Sequence, residues 1–564
     1  MRDAPPSVRT AEGRVARRRP APPASTQGAQ RSASERYAVG AALVALTVVS
    51  RWPLRGRTLF NWDAIQYALA TDRFDLAAHR PHPPGYPGYV LAARLARALT
   101  GADANTALIG LSVLATALSV LAIEAVAYRV SGRRGGLVAA ALLLLSPLAW
   151  FYSETALTYA FDPLISLAGG WFAWRAFREG SLTRLVCGCL LVSLLGAVRP
   201  TSAALLLPVL AWTAWHLGQS RRRARPAGAA AAAFTVGTAL WAIPLMVISG
   251  GPQAFLHASL QLGDAVSASS AVWSTGIRGL AANSRAVLDG LLLSLGLAAP
   301  LVGAAVALWR LRPAAQRPSS PWPGPGPQFM AIWIGPALLV FAAVHIGQLG
   351  YLLFPLPALL LAATGVLDRS AELLHLPERA VARWVSLGVV LAVDLVLFAG
   401  SLAPVVRTHD RQVAAILAAT RRHPAAETVV LTDPASDGSY RLGMYSMRPY
   451  RVLAVGRDRS GRTGELFAND GSAPEYDLSR FDRVGRLRLP ASGNVVVLDG
   501  PVLGVIGDIA GLDDHALDGG ARVWTVTLRA SDPAVIWGQR IWLHGSDCPC
   551  ERYRNNAPLP PRVS

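Results

Sequence analysis

Runs of about 20 apolar residues recur from position 37 to position 404, and a soluble core has no use for so many of them. A bilayer offers no water to unpaired backbone N–H and C=O groups, so each run crosses it as a helix. Eleven spans are predicted, at 37–53, 104–128, 135–152, 157–177, 182–198, 201–218, 228–249, 286–309, 329–345, 350–367 and 384–404. Composition agrees, with 52% hydrophobic residues, 16% charged residues and a mean hydropathy of +0.34. Those values exclude a disordered chain and are unusual for a soluble enzyme.

The formal charge is +19, and all 54 basic residues are Arg. Much of that charge sits in short clusters between apolar runs, which fits membrane orientation better than a nucleic-acid partner. Residues 1–36 carry eight Arg and several Pro, and read as a disordered cytoplasmic tail rather than a cleavable signal peptide. With that tail inside, the inside loops are 129–134, 178–184, 219–227, 310–328 and 368–383, each with at least two Arg. Segments 54–103, 153–156, 199–200, 250–285, 346–349 and everything after 404 then lie outside. The four cysteines, Cys187, Cys189, Cys548 and Cys550, form no visible disulfide framework.

The first outside loop is the polar exception. Phe60–Pro87 holds Asp63, Asp72, Asp75, Arg80 and His82 between two apolar regions. Pro83-Pro84-Gly85 forces a turn. Residues 88–100 follow as a helix with Leu91, Leu95 and Leu99 on one stripe and Arg94 and Arg97 off it, which suits a helix on the membrane surface. Residues 250–285 read as a long Gly-, Ser- and Ala-rich outer loop, and 313–327 as a Pro/Gly-rich cytoplasmic linker. After residue 404 the pattern changes to helix at 408–422 and strands at 428–431, 495–498 and 522–528. The predicted architecture is thus a polytopic α-helical membrane domain, 37–404, followed by a small extracytoplasmic α/β domain, 405–564.

Asp63 is the first candidate for chemistry. A general base must reach an acceptor's hydroxyl proton, and Phe60, Trp62 and Tyr67 surround it with aromatic material. The plain alternative is a helix cap or a solvated loop acid. His82, held in the proline turn, either addresses a substrate or merely accompanies the turn. Glu154 and Asp162 flank the start of a span, where the helix dipole favours acids, but Asp162 lies deeper and needs a partner or hydration. Arg199 sits at a short outside turn where orientation requires no Arg. It suits bidentate binding of phosphate, or else an ion pair with Glu154 or Asp162. His345, Gln348 and Tyr351 mark another tight outside turn, as site residues or as ordinary interfacial ones. Cys548-Pro549-Cys550 lacks the partners of a metal site, so no metal ligand is assigned.

Asn61-Trp62-Asp63 after the first span, the turn His82-Pro83-Pro84-Gly85-Tyr86-Pro87 with its surface helix, Ser146-Pro147 followed by Glu154 to Asp162, Arg199-Pro200, and Tyr351-Leu352-Leu353-Phe354-Pro355-Leu356-Pro357 together resemble the GT-C superfamily of membrane glycosyltransferases. The likeness is to protein O-mannosyltransferase-like (glycosyltransferase family 39) and aminoarabinose-transferase-like proteins of the cell envelope, over roughly residues 37–400. It implies an acid in the first outside loop as catalytic base, here Asp63, and a donor sugar on a polyprenyl phosphate. Ala64 stands where such proteins often have a second acid, leaving Glu154 or Asp162 to supply one. No Lys is available for the phosphate, so Arg199 takes that task. The chemistry needs one base on the acceptor and positive charge near the departing phosphate, with inversion at the anomeric centre. It leaves room for a divalent cation without requiring one. The acceptor is a lipid, glycan or protein, and membrane lipids surround the chain. Two rival classes are a transporter or lipid flippase, which repeated halves would favour although none is visible, and a non-catalytic envelope scaffold.

Overall fold

The computed structural model describes residues 33–76, 79–221, 225–300, 326–373, 379–432, 442–443, 445–457, 463–468, 487–488, 492–500, 502–503, 512–528 and 536–537. The predicted tail up to residue 32, the linker at 313–325 and Cys548-Pro549-Cys550 lie outside them.

Among the described residues the apolar runs fold as helices. Helix α1 (Ala33–Arg51) returns the Thr47 hydroxyl to the Leu43 carbonyl at 2.8 Å, so this buried polar side chain is satisfied inside its own helix. Helix α2 (Trp62–Asp72) opens on an Asn61 cap whose side chain accepts from the Asp63 N–H at 2.7 Å. Helix α3 (Pro87–Thr100) is the predicted surface helix. It buries Tyr89, Val90 and Ala93 and leaves Leu91, Leu95 and Leu99 exposed. Helix α4 (Ala104–Leu145) joins two predicted spans and breaks where Gly132 adopts φ +75°.

Ser146-Pro147 ends α4 and starts α5 (Pro147–Ser153), with the Ser146 hydroxyl accepting from the Ala149 N–H. A 3-10 turn at Thr158–Phe161 leads into α6 (Asp162–Glu179). Then come α7 (Leu182–Leu195), α8 (Pro200–Leu205), α9 (Leu207–Arg221) and α10 (Arg225–Ile248). Small residues let these helices approach closely. A Cβ on Gly169 would meet Leu206 at 2.5 Å, and one on Gly170 would meet the Trp333 ring at 2.2 Å.

Residues 250–285 differ from the expected loop. They form α11 (Pro252–Ser270) and the first part of α12 (Val272–Leu295). Their Gly, Ser and Ala content masked helices that need few bulky residues, because Ala is the best helix former; the stretch is interrupted at Ala271 and kinked at Gly276. The bundle continues with α13 (Gly326–Ala343), α14 (Leu356–Leu373) and α15 (Arg379–Leu397). A π turn at Phe398–Leu402 connects α15 to α16 (Ala403–Thr420), which starts before the predicted helix at 408. Among the described residues, five helical stretches are long and apolar enough to cross a bilayer: Ser34–Leu54, Ala104–Leu145, Arg225–Ile248, Gly326–Ala343 and Leu387–Thr420.

The C-terminal strands β1 (Thr428–Thr432), β2 (Arg451–Arg457), β3 (Thr463–Ala468), β5 (Gly493–Val497), β6 (Asp513–Ala516) and β7 (Arg522–Leu528) form a sheet in the order β3-β2-β1-β5-β7-β6. β1 runs parallel to both β2 and β5, and the outer pairs are antiparallel. Strand β4 (Leu487–Arg488) pairs with β8 (Ile536–Trp537) separately. Two apolar clusters cover the two faces. Val429, Leu431, Val495 and Val497 point to one, and Val430, Val452 and Val496 to the other, as a central strand buried on both sides requires.

Candidate active site

Asp63 occupies the first turn of α2, where unpaired backbone N–H groups favour a carboxylate. Its side chain is about one-fifth exposed and faces a cavity of about 420 Å³, within the range of small-molecule sites. Gln348 Nε2 donates to Asp63 Oδ2 at 3.2 Å, and His82 Nδ1 lies 3.7 Å from Asp63 Oδ1.

His82 is fixed from two sides. Its Nδ1 meets Gln66 Oε1 at 2.6 Å, and its Nε2 meets the Tyr86 hydroxyl at 3.1 Å. Its backbone N–H also donates to Gln66 Oε1, at 3.2 Å. Gln66 is fully buried one helical turn after Asp63, so one face of α2 carries both the acid and the group that holds the histidine. The Tyr67 ring packs edge-on against Tyr86 and Tyr89, locking α2 to α3.

Two further elements complete the walls. The turn before α14 supplies His345, Gln348 and Tyr351, and His345 Nδ1 meets the Ser270 hydroxyl at 2.9 Å. Helix α11 supplies Ser259, Leu262, Gly263 and Val266. The aromatic rings of Trp62, Tyr86, Tyr159 and Tyr351 form much of the surface. Among the lining residues Asp63 is the sole carboxylate, and none is Arg.

Arg199 and Asp162 lie behind this wall. Arg199 Nε contacts Asp162 Oδ1 at 2.8 Å, and both side chains are almost wholly buried. Arg199 Nη1 donates to Thr158 Oγ1 at 2.7 Å, and Ser202 Oγ donates to Asp162. The guanidinium lies 4.0 Å from the Tyr159 ring centre and 5.2 Å from that of Tyr351. The ion-pair alternative for Arg199 therefore describes this structure, with Asp162 as partner, and the pair braces two rings of the cavity wall.

Glu154 is elsewhere. It lies in the turn 153–156, accepts from Trp150 Nε1 at 2.5 Å, and does not line the cavity. Burial pushes its carboxyl up to about 8, against the opposing pull of the Trp150 N–H and of Arg51 and Arg407. Its backbone carbonyl accepts from the Gly56 N–H at 2.9 Å, tying the segment between α1 and α2 to the bundle. Asp162 and Glu154 are thus unequal as second carboxylates, and neither touches Asp63.

The sequence reading missed Gln66, Ser259, Gly263 and Tyr159. Gln66 was detectable as the polar residue three positions after Asp63. The α11 residues were hidden inside an apparent loop. Among the described residues, no group of three or more His, Cys, Asp or Glu side chains is placed to hold a metal.

Long apolar helices, an acid on the short helix α2, the amphipathic helix α3 after it and a C-terminal sheet make up a fold that solved membrane-protein structures share. The particular structures the chain is similar to include ArnT from Cupriavidus metallidurans bound to undecaprenyl phosphate, at 14% identity and a TM-score of 0.52, covering 89% of this chain and 100% of that one. The same ArnT in the apo state is similar at 15% identity and a TM-score of 0.50, with the same coverage. At such identities the likeness is one of fold. No family profile matches the chain, and no curated sequence does.

Proposed function

We propose that this chain is an integral-membrane glycosyltransferase that moves a sugar from a polyprenyl-phosphate donor to an acceptor hydroxyl or similar group at the outer membrane face, with inversion. Asp63 is the base. The observation that carries this reading is the Asp63 carboxylate on the wall of an aromatic cavity, held by Gln348 and neighboured by His82.

Each part of the site has a task. Asp63 takes the acceptor proton as its oxygen attacks the anomeric carbon. The attack comes from the face opposite the phosphate, which inverts that centre. Trp62, Tyr86, Tyr159 and Tyr351 offer flat apolar faces to a sugar ring, and Gln348, His82 and His345 offer hydrogen bonds to its hydroxyls. Arg199, behind Tyr159 and Tyr351, contributes positive charge near the departing phosphate while Asp162 holds it. The ArnT structure is bound to undecaprenyl phosphate, a carrier of the class proposed here.

The membrane placement belongs to the same reading. It has eleven spans within 37–404, the tail 1–36 and the 310–328 linker in the cytoplasm, and the region 405–564 outside. The polyprenyl chain lies among the helices and brings the phosphate to the outer boundary, where Asp63 waits. The acceptor is a lipid, glycan or protein of the envelope.

The test is a comparison of wild type with Asp63→Asn, supplied with a panel of polyprenyl-phosphate sugars, with mass spectrometry following release of polyprenyl phosphate. Release by wild type and loss of it in a variant that still binds donor supports the reading. Equal turnover by both removes Asp63 from the chemistry. Movement of labelled lipid across the bilayer without sugar transfer would favour a flippase instead.

A further inference from the structure

We propose that the chain after residue 403 is a positioning element for the transfer reaction, gripping helix α2 at both ends so that Asp410 and Arg448 set where Asp63 stands. The inference rests on the reading of Asp63 as the base.

The grip at the start of α2 is made by Asp410, on α16. Its Oδ2 accepts from the Arg57 N–H at 2.9 Å, and its Oδ1 accepts from the Thr58 N–H at 2.9 Å and the Thr58 hydroxyl at 2.6 Å. His409 adds Nδ1 at 3.2 Å from the Thr58 hydroxyl and a ring 5.1 Å from that of Phe60. One carboxylate thus uses both oxygens on three donors just before Asn61, the cap of α2. Charge-assisted bonds of this type are stronger than neutral ones.

The grip at the far end is made by Arg448, between α16 and β2. Its Nη2 donates to Asp72 Oδ2 at 2.8 Å, while Arg97 Nη1 of α3 donates to Asp72 Oδ1 at 2.6 Å. Asp72 is the last residue of α2. Tyr445 lies under the Arg448 guanidinium at 5.0 Å and packs on the core of the bundle, so the arginine is itself held. Asp72 titrates below its ordinary range: burial works against this, but the bonds to Arg97 and Arg448 outweigh it.

Two anchors more than 350 positions away in sequence therefore bracket the eleven residues of α2, and Asp63 is its second residue. Placement errors of about 1 Å at a reacting group cost up to about 100-fold in rate. The C-terminal region need touch no substrate to control turnover.

The experiment uses the full chain in nanodiscs with Asp410→Asn, Arg448→Ala and Arg448→Lys. It combines amide hydrogen exchange over residues 61–72, kcat and KM for the donor, and thermal unfolding. Asp410→Asn and Arg448→Ala are expected to raise exchange in α2 and lower kcat about 10- to 100-fold. KM and the unfolding midpoint should stay close to wild type, and Arg448→Lys should recover most of the loss. Unchanged exchange in α2 overturns the grip. Raised exchange with unchanged kcat overturns the positioning role. If wild type transfers no sugar from any donor, the reading of Asp63 fails, and the exchange data still decide whether the grip exists.

Discussion

Gln348 Nε2 donates to Asp63 Oδ2 at 3.2 Å, joining the turn before α14 to the first turn of α2. The bond orients one carboxylate oxygen and leaves the other toward His82, 3.7 Å away. Gln348→Leu keeps roughly the same bulk and removes the donor. A hydrogen bond to a charged group contributes about 1.5–3 kcal/mol. The expected outcome is a kcat reduced roughly 10- to 100-fold, with donor binding by titration little changed.

Arg199 and Asp162 form a buried pair, and removing one partner strands the other. Arg199→Met is expected to cost about 3–5 kcal/mol of stability. The double variant Arg199→Met/Asp162→Leu, with no charge left to bury, should recover much of that. Denaturant unfolding of the three proteins in one detergent measures it. A double variant no better than the single one would mean that the packing of Tyr159 and Tyr351, not charge, sets the cost.

Glu154 supplies a pH dependence with a definite sign. Its carboxyl loses a proton near 8 in the folded protein, against the ordinary 4.5 in an unfolded chain. The stabilising contribution of the protonated form is whole below about 4.5 and is lost as pH rises through about 8. The unfolding midpoint should therefore decline across that window. Glu154→Gln, which carries no titrating proton, should flatten this part of the decline.

Gly88 marks a close approach between α3 and the turn that carries Arg199. Its N–H donates to the Ala197 carbonyl at 2.8 Å, and a Cβ there would lie 2.9 Å from the Ala197 Cβ and 3.0 Å from its carbonyl carbon. Gly88→Val is expected to destabilise by about 1–3 kcal/mol. Tyr86, two residues earlier, should move with the helix. A loss of turnover larger than the loss of stability would show as reduced kcat at temperatures where the variant is still folded.

Hydropathy made the membrane bundle legible, because length and apolarity are stated locally, residue by residue. The separations at 129–134 and at Arg199-Pro200 were legible too, from clustered Arg and from a proline, whereas the break at Ser146-Pro147 falls inside the span predicted at 135–152 and was read through. Asp63, His82, Gln348 and Tyr351 stood out as polar or aromatic groups at the ends of apolar runs, and the structure gathers them around one cavity. Glu154 carried the same signal and lies elsewhere, because an acid beside a span reports its distance from the membrane and not its neighbours. Helix α11 was hidden, since Ala, Gly and Ser give a weak apolar period whether or not they form a helix. The pairing of Asp72 with Arg448 had no local signature at all. Contacts across hundreds of residues follow from tertiary packing.

Helix α3 turns Leu91, Leu95 and Leu99 outward, while Arg94 on its other side donates to the backbone carbonyls of Thr71 and Ala70 and Arg97 to Asp72. Its leucines seek hydrocarbon and its arginines hold the helix that bears Asp63. On the proposed membrane placement, the depth of the carboxylate is thereby referenced to the lipid itself, much as a float sets the height of what hangs beneath it. Under the proposed function, acyl-chain length and headgroup crowding become variables of the transfer, acting on the protein from outside the cavity.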